Sequence, residues 1–189
     1  MNQHDQIPRI VITGAPGSGK TEFLVRLRQD RAFEHFLFMD ELARQLLEED
    51  ATFRQRWSDV HREIYRRQTA REAAAGEKPF VTDRGTVDAF AFHPETAQQV
   101  GTTIAREYAR YSAVIQLGSA AGLGETHYRQ DRIRNESIEE ALQIERAIGS
   151  VWKQHPGYHW IDAEVDFESK FRRFRSVMQQ LTGIARPTV

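Results

Sequence analysis

Eight consecutive residues constrain this chain more than any other part of it. Gly14-Ala15-Pro16-Gly17-Ser18-Gly19-Lys20-Thr21 places three glycines, a lysine and a hydroxyl at fixed spacing. The apolar run Ile10-Val11-Ile12-Thr13 precedes them, and a stretch with apolar positions at Phe23, Leu24 and Leu27 follows. That is a strand, a glycine-rich turn and a helix. The glycines let the backbone curl until successive N–H groups face one phosphate. A helix opening near Lys20 aims its positive end at the same point. Lys20 then supplies a point charge for the β- and γ-phosphates, and Thr21 a hydroxyl for magnesium. The expected nucleotide-binding set is Gly14, Ala15, Pro16, Gly17, Ser18, Gly19, Lys20, Thr21 and Glu22, with ATP and Mg2+ as its ligands.

The rest of the chain repeats the strand–helix alternation. Further short apolar runs lie at Phe36–Met39, Phe80–Thr82, Ala113–Leu117 and, more weakly, Tyr158–Ile161. Runs of this kind suit a parallel sheet buried on both faces. Between them, apolar residues recur with a helical period: Phe53, Trp57, Val60 and Ile64; then Ile138, Ala141, Leu142, Ile148 and Trp152, with Glu145 interrupting; then Phe167, Phe171, Phe174, Met178 and Leu181. Asp162 to Phe167 offers turn chemistry before the last helix, and Gly183 and Pro187 are stop signals after it. Arg71 to Gly76 reads as a helix end. The expectation is one three-layer α/β domain over residues 1–189 with right-handed crossovers. Residues 118–136 are long, polar and glycine-bearing, and carry Arg129, Arg132 and Arg134; they are expected to form a mobile lid.

Composition removes several function classes. A net charge of -1 gives no global basic field for nucleic acid or an anionic membrane. The absence of cysteine excludes disulfides, thiol catalysis and cysteine-based zinc sites. The seven histidines show no helical pair at metal-ligand spacing. Met1 to Arg9 is polar, and no apolar run reaches membrane length, so a cytoplasmic protein is expected. The expected partner is a small-molecule phosphoryl acceptor, with the oligomeric state open.

Turnover would need more than the loop. Ligands of an open parallel sheet sit outside the C-terminal ends of its strands, so carboxylates there are the candidates. Asp83 closes the third run and is followed by Arg84 and Gly85. Asp83 could hold magnesium through water or orient an acceptor hydroxyl, and Arg84 could neutralise phosphoryl charge; capping and a surface ion pair are the plainer roles. Glu41, after the second run, could take the proton of an attacking hydroxyl, although acids also favour first helical turns on electrostatic grounds alone. Arg132 or Arg134, brought over the γ-phosphate, would stabilise transition-state charge; a solvated basic loop is the alternative. Arg62, Arg66, Arg67 and Arg71 read as a solvated stripe, and His61 and His93 as surface or internally satisfied residues. Without an N-K-x-D pattern, ATP is expected over GTP.

These motifs together resemble the small P-loop family labelled an AAA-type ATPase/kinase domain. That family is similar to the nicotinamide-riboside kinase domain of a bacterial NAD regulator and to nucleoside and nucleotide kinases. The residues that carry the resemblance are Gly14 to Thr21, Glu41 with Arg44, Asp83-Arg84 with Asp88, and Asp131-Arg132-Ile133-Arg134. It extends from about Ile10 to Leu181. It implies a five-stranded parallel sheet with the P-loop strand central and Asp83 on the neighbouring strand. It also implies that the carboxylate after the second strand meets the acceptor, that Asp83 and Arg84 serve magnesium and phosphate, and that lid arginines clamp the triphosphate. One departure is Gly85, where many nucleoside kinases carry a hydroxyl or aromatic residue. A ring motor is not expected, because the chain leaves no room for the helical domain of ring ATPases. The resulting expectation is an enzyme, with Lys20, Glu41, Asp83, Arg84, Arg132 and Arg134 as catalytic candidates and Thr21 and Asp83 on the metal. It would transfer the ATP γ-phosphoryl group to a small metabolite such as a nucleoside or nucleotide. The alternative is a slowly hydrolysing ATPase switch acting through a protein partner, for which Gln130 would be the water-positioning residue.

Overall fold

In the computed structural model, which describes residues 7–49, 52, 56–128 and 136–184, the five apolar runs form one sheet. Its strands are β1 (Arg9–Gly14), β2 (Leu37–Met39), β3 (Phe80–Asp83), β4 (Ala113–Leu117) and β5 (Tyr158–Ile161). They lie in the order β2-β3-β1-β4-β5, every neighbouring pair parallel. The strand that enters the phosphate loop is therefore central, and Asp83 ends the strand beside it. Register pairs Ile12 with Asp83 and Gly14 with Leu117, so the C-terminal ends of β1, β3 and β4 emerge at one edge.

The helices are α1 (Lys20–Gln29), α2 (Leu42–Glu49), α3 (Trp57–Ala74), α4 (Asp88–Phe92), α5 (Thr96–Gln99), α6 (Ile104–Tyr108), α7 (Ile138–Trp152) and α8 (Phe167–Thr182). Successive strand residues point to opposite faces. Ile10 and Ile12 join Phe23 and Leu27 of α1 and Phe174 and Met178 of α8 on one face. Val11 and Val114 join Phe90 of α4 and Ile148 and Trp152 of α7 on the other. Both faces are thus covered, as near-continuous apolar strands require. Phe23 meets the rings of Phe167, Phe171 and Phe174 at 5.1, 5.2 and 5.0 Å, so the periodic stripe of α8 is spent on α1.

Local signals account for the helix ends. Ser137 and Glu140 form a capping box at α7, Asp166 accepts from Glu168 N and Ser169 N at α8, and Gly183 closes α8 with φ 67°. Glu145 interrupts the α7 stripe because its polar atoms are used: its carbonyl accepts from Gln116 Nε2 at 3.0 Å and its carboxylate from Ser119 N at 2.6 Å. Three elements carried no sequence signal. Helices α4, α5 and α6 have four or five residues each, too few for a 3.6-residue period to repeat.

Part of the segment 118–136, expected to form a mobile lid, is docked on the domain. Ala120–Leu123 makes a 3-10 turn, and Ala121 and Tyr128 are buried against Ala141 and Leu142 of α7. Two well-spaced apolar side chains suffice to dock a segment that has no period. Arg129, Gln130, Asp131, Arg132 and Arg134 lie outside the described residues, as do Phe53 and Pro187.

Gly85 is a packing requirement. A Cβ there would stand 2.9 Å from Val11 Cγ2, 3.0 Å from Tyr111 Cζ and 3.1 Å from Trp152 Cζ2, all in the second-face core. The departure noted at this position is thus explained by close approach. Gly85→Ala is expected to destabilise the chain by about 1–3 kcal/mol through overpacking, read as a lowered urea midpoint.

Candidate functional site

The loop between β1 and α1 holds its shape through glycine. Gly14, Gly17 and Gly19 have φ of 150°, 78° and 87°. A Cβ on Gly14 would lie 2.6 Å from Leu117 O, and one on Gly17 2.8 Å from the Tyr128 ring. Lys20 begins α1, is buried, and donates from Nζ to Gly14 O at 2.8 Å, which folds the ammonium back over the loop. Burial lowers its pKa first, the Arg84 charge lowers it further, and Asp83, Glu41 and Asp88 oppose the shift. Ala15 to Glu22, with Glu41, Arg84 and Glu136, line a cleft of about 420 Å³. Thr21 is exposed at the first turn of α1, and Glu22 pairs with Arg26 at 2.9 Å.

Arg84 organises the other wall. Its φ is 67°, the one left-handed non-glycine residue among those described, a conformation that persists only when its surroundings fix it. Its N–H stays in the sheet, donating to Ile12 O at 3.0 Å, while the side chain turns into the cleft. Nε donates to Glu41 Oε1 at 2.7 Å, Nη1 to Asp88 Oδ1 at 3.3 Å and Nη2 to Gly14 O at 3.3 Å. The guanidinium also lies 5.2 Å from the centre of the Phe92 ring. Asp88 is held in turn by Thr13 Oγ1, by Gly85 N at 2.9 Å and by Trp152 Nε1 at 3.1 Å.

The two carboxylates named from the sequence have opposite environments. Burial works to raise Glu41, but Arg84 and Lys20 outweigh it and hold the group at about 2. Burial dominates at Asp83 and, with Glu41 and Asp88 adding repulsion against the pull of Lys20 and Arg84, pushes it up to about 6. Asp83 is 5% exposed, and its Oδ1 has no hydrogen-bond partner among the described residues. It caps no helix, and Arg84 is not a surface pair.

A second cavity of about 250 Å³ shares Glu41, Arg84 and Glu136 with the cleft and adds Asp83 and Asp88. Its apolar wall includes Leu42, Ile64, Ala89 and Phe92. His61 lies in that wall, stacked 6.0 Å from Phe92 and 5.8 Å from His93; burial and then His93 lower it to about 4, so it is neutral. Three carboxylates, Glu41, Asp83 and Asp88, thus act on one guanidinium, and Glu136 lines the same cavity. A wider groove of about 590 Å³ on the outer side of α3 is remote from the loop. There Arg62 pairs with Asp59, and Arg66 and Arg67 pair with Glu63, as a solvated stripe should. Arg71 departs from that stripe: it turns inward to Asp40 O at 2.5 Å and Thr82 Oγ1 at 3.0 Å.

The structure therefore brings Lys20, Glu41, Asp83 and Arg84 together beside the loop. Thr21 lines the cleft, and Asp83, with an unpartnered buried oxygen, lines the adjoining cavity; these are the two side chains expected to hold magnesium. Among the described residues no three His, Asp or Glu side chains form a metal cage, which such a site does not need. Sequence reasoning missed Thr13, Ser119 and Lys170. Lys170 had a signal: it occupies an inward position of the α8 stripe, one residue before Phe171.

No helix among the described residues is long and apolar enough to cross a membrane. A family model described as an AAA domain matches residues 9–170. A search of the curated proteins returns no match. Solved structures share the fold. NadR in complex with NAD and AMP-PNP is 13% identical at a TM-score of 0.64, over 97% of this chain and 52% of that one. The chain thus spans about half the length of that relative. Shikimate kinase from Acinetobacter baumannii, in complex with shikimate, is 13% identical at a TM-score of 0.58, over 94% of both chains. Deoxyadenosine kinase from M. mycoides with bound dATP is 14% identical at a TM-score of 0.54, over 90% of this chain and 99% of that one. The fold is the three-layer P-loop NTPase fold, of the kind kinases use.

The Glu41–Arg84 pair makes a pH prediction. The Glu41 pKa is depressed from 4.5 to about 2, so its contribution is present above about 4.5 and is lost as pH falls toward about 2. Glu41→Gln should be less stable than the parent chain at neutral pH, and the gap in urea midpoints should narrow as pH falls toward about 3.

Proposed function

The chain belongs to this AAA-domain family, and we propose that it is an ATP-dependent phosphotransferase that moves the γ-phosphoryl group to a hydroxyl of a small, non-anionic metabolite, a nucleoside being the leading acceptor. The observation that carries this reading is the junction of two cavities across Arg84: a glycine-built phosphate cradle on one side and a carboxylate-lined pocket with an apolar wall on the other. A protein that only bound or slowly hydrolysed ATP would not need the second. The acceptor is non-anionic because Glu41, Asp83, Asp88 and Glu136 would repel a phosphate or carboxylate there. The likeness to structures solved with AMP-PNP and with dATP supports a nucleotide as ligand of the cradle.

In this reading Lys20 releases Gly14 O and takes the β- and γ-phosphates. Asp83, with its raised pKa, receives the proton of the acceptor hydroxyl as its oxygen attacks the γ-phosphorus; the bond to the β–γ bridging oxygen breaks and ADP leaves. Glu41 is too weak a base at about 2, and its work is to hold Arg84 and orient the acceptor with its second oxygen. Arg84 neutralises charge on the moving group. Thr21 and, through water, Asp83 are the side chains that would hold magnesium, which when bound screens the phosphate charge. Most of the rate then comes from positioning and electrostatics.

The direct test is ADP release from Mg-ATP with and without a panel of nucleosides, nucleotides and nicotinamide riboside. Strong stimulation by an uncharged or cationic hydroxyl compound is expected, and none by nucleotides. A flat panel in samples that bind ATP would overturn the phosphotransferase reading. Lys20→Ala should reduce stimulated turnover by about a hundredfold or more while leaving thermal unfolding unchanged. Full activity in that variant would remove the loop from the mechanism.

A further inference from the structure

The phosphate loop is gripped from behind as well as from within. Three successive carbonyls face away from the cleft toward the segment after β4 and the start of α8. Pro16 O accepts from Ser119 Oγ, Gly17 O from Ala120 N at 3.1 Å, and Ser18 O from Lys170 Nζ at 2.8 Å. The same ammonium donates to Gly118 O at 2.6 Å. Lys170 is 5% exposed, and its Nζ lies 5.8 Å from the Phe23 ring.

A planar trans peptide points its C=O and the following N–H in opposite directions. Holding Ser18 O from behind therefore turns Gly19 N–H toward the front of the loop, where α1 begins. Two carbonyls could be satisfied by a neutral amide. A buried ammonium costs more than that, and among the described residues no carboxylate comes within ion-pair distance of it. Burial pushes its pKa down to about 8, Glu145 and Glu164 pull the other way, and Lys20 adds repulsion. The two lysines therefore act on the same small volume.

We propose that Lys170 is a positioning residue of the nucleotide site: from behind the loop it fixes the Ser18–Gly19 peptide toward the phosphates and adds a second buried positive charge to that of Lys20. The inference rests on the loop being a polyphosphate site and is independent of the acceptor. Because the charge acts on phosphates, its effect is the same with or without a base attached.

Calorimetry on the full chain, with ADP and with inorganic tripolyphosphate as probes, tests this. Lys170→Met should weaken both by the same factor, about tenfold or more. Lys170→Gln keeps a donor without the charge and should lose less than Lys170→Met. The parent chain needs no variant for a second readout: its affinity for ADP, whose phosphates are already fully ionised there, should fall as pH rises through about 8, as Lys170 loses its proton. The groups facing it are Glu145 on α7, Glu164 before α8 and Lys20 on α1, and the step should vanish in Lys170→Gln while Lys20 is still present. Unchanged binding in Lys170→Met, or a flat affinity in the parent chain from about pH 7 to about pH 9, would overturn the role of Lys170. Binding that Lys20→Met abolishes and Lys170→Met leaves intact removes this inference alone. A parent chain that binds neither probe removes the nucleotide reading as well.

Discussion

One guanidinium ties together pieces of chain that otherwise have no reason to meet. Arg84 reaches the last carbonyl of β1, the carboxylate before α2, the first residue of α4 and the Phe92 ring. It does so from a left-handed backbone, because its own N–H must remain with Ile12 O in the sheet. Asp88 carries the connection inward to Gly85 N and to the Trp152 indole, the largest side chain of the second-face core. Core packing and cleft geometry are thus coupled: where Trp152 sits decides where Asp88 sits, and Asp88 decides where Arg84 points. Buried pairs of this kind are poor sources of net stability, since desolvation offsets most of the attraction. Their effect here is to make one arrangement of the cleft much better than its neighbours.

The same reasoning separates the two carboxylates. Position relative to the strands made both Glu41 and Asp83 candidates, because both follow strands that end beside the loop. Their protonation depends on what each touches. Glu41 has Arg84 as a direct partner and stays ionised, while the unpartnered oxygen of Asp83 leaves burial to dominate. That difference between two groups acted on by one guanidinium is how, in the proposed reaction, a single cleft would supply both an anchor and a proton acceptor.

What could be read in advance follows the range of the interactions involved. The loop was legible because its spacing is set by local peptide geometry around one ligand. The three inner strands were legible because burial on both faces leaves short unbroken apolar runs, and the half-exposed edge run Tyr158–Ile161 was correspondingly weaker. Helices α4 to α6 were not, being too short for their period to repeat. Arg71 looked like its neighbours Arg62, Arg66 and Arg67, and only the position of β3 and of Asp40 makes it turn inward. Lys170 stood out only as a polar residue at an inward position of the α8 stripe. Its two acceptors, Ser18 O and Gly118 O, are 152 and 52 residues away, and no local pattern announces a backbone carbonyl.

The distribution of charge across the cleft has a consequence for turnover in the proposed reaction. Cations gather on the loop side, where Lys20 lies within the curl and Lys170 behind it, and carboxylates gather on the acceptor side. A neutral hydroxyl compound entering the carboxylate-lined pocket pays no Coulomb penalty. Once it carries a phosphoryl group it is a dianion beside Glu41, Asp88 and Glu136, with Asp83 holding the transferred proton. ADP, by contrast, remains against the positive side. The polarity that admits the acceptor therefore expels the product, and a phosphorylated acceptor is a poor ligand for the site that made it. A pocket lined with arginines would bind such a product well and release it slowly. In the proposed reaction the carboxylate lining would thus speed product release as well as favour uncharged acceptors.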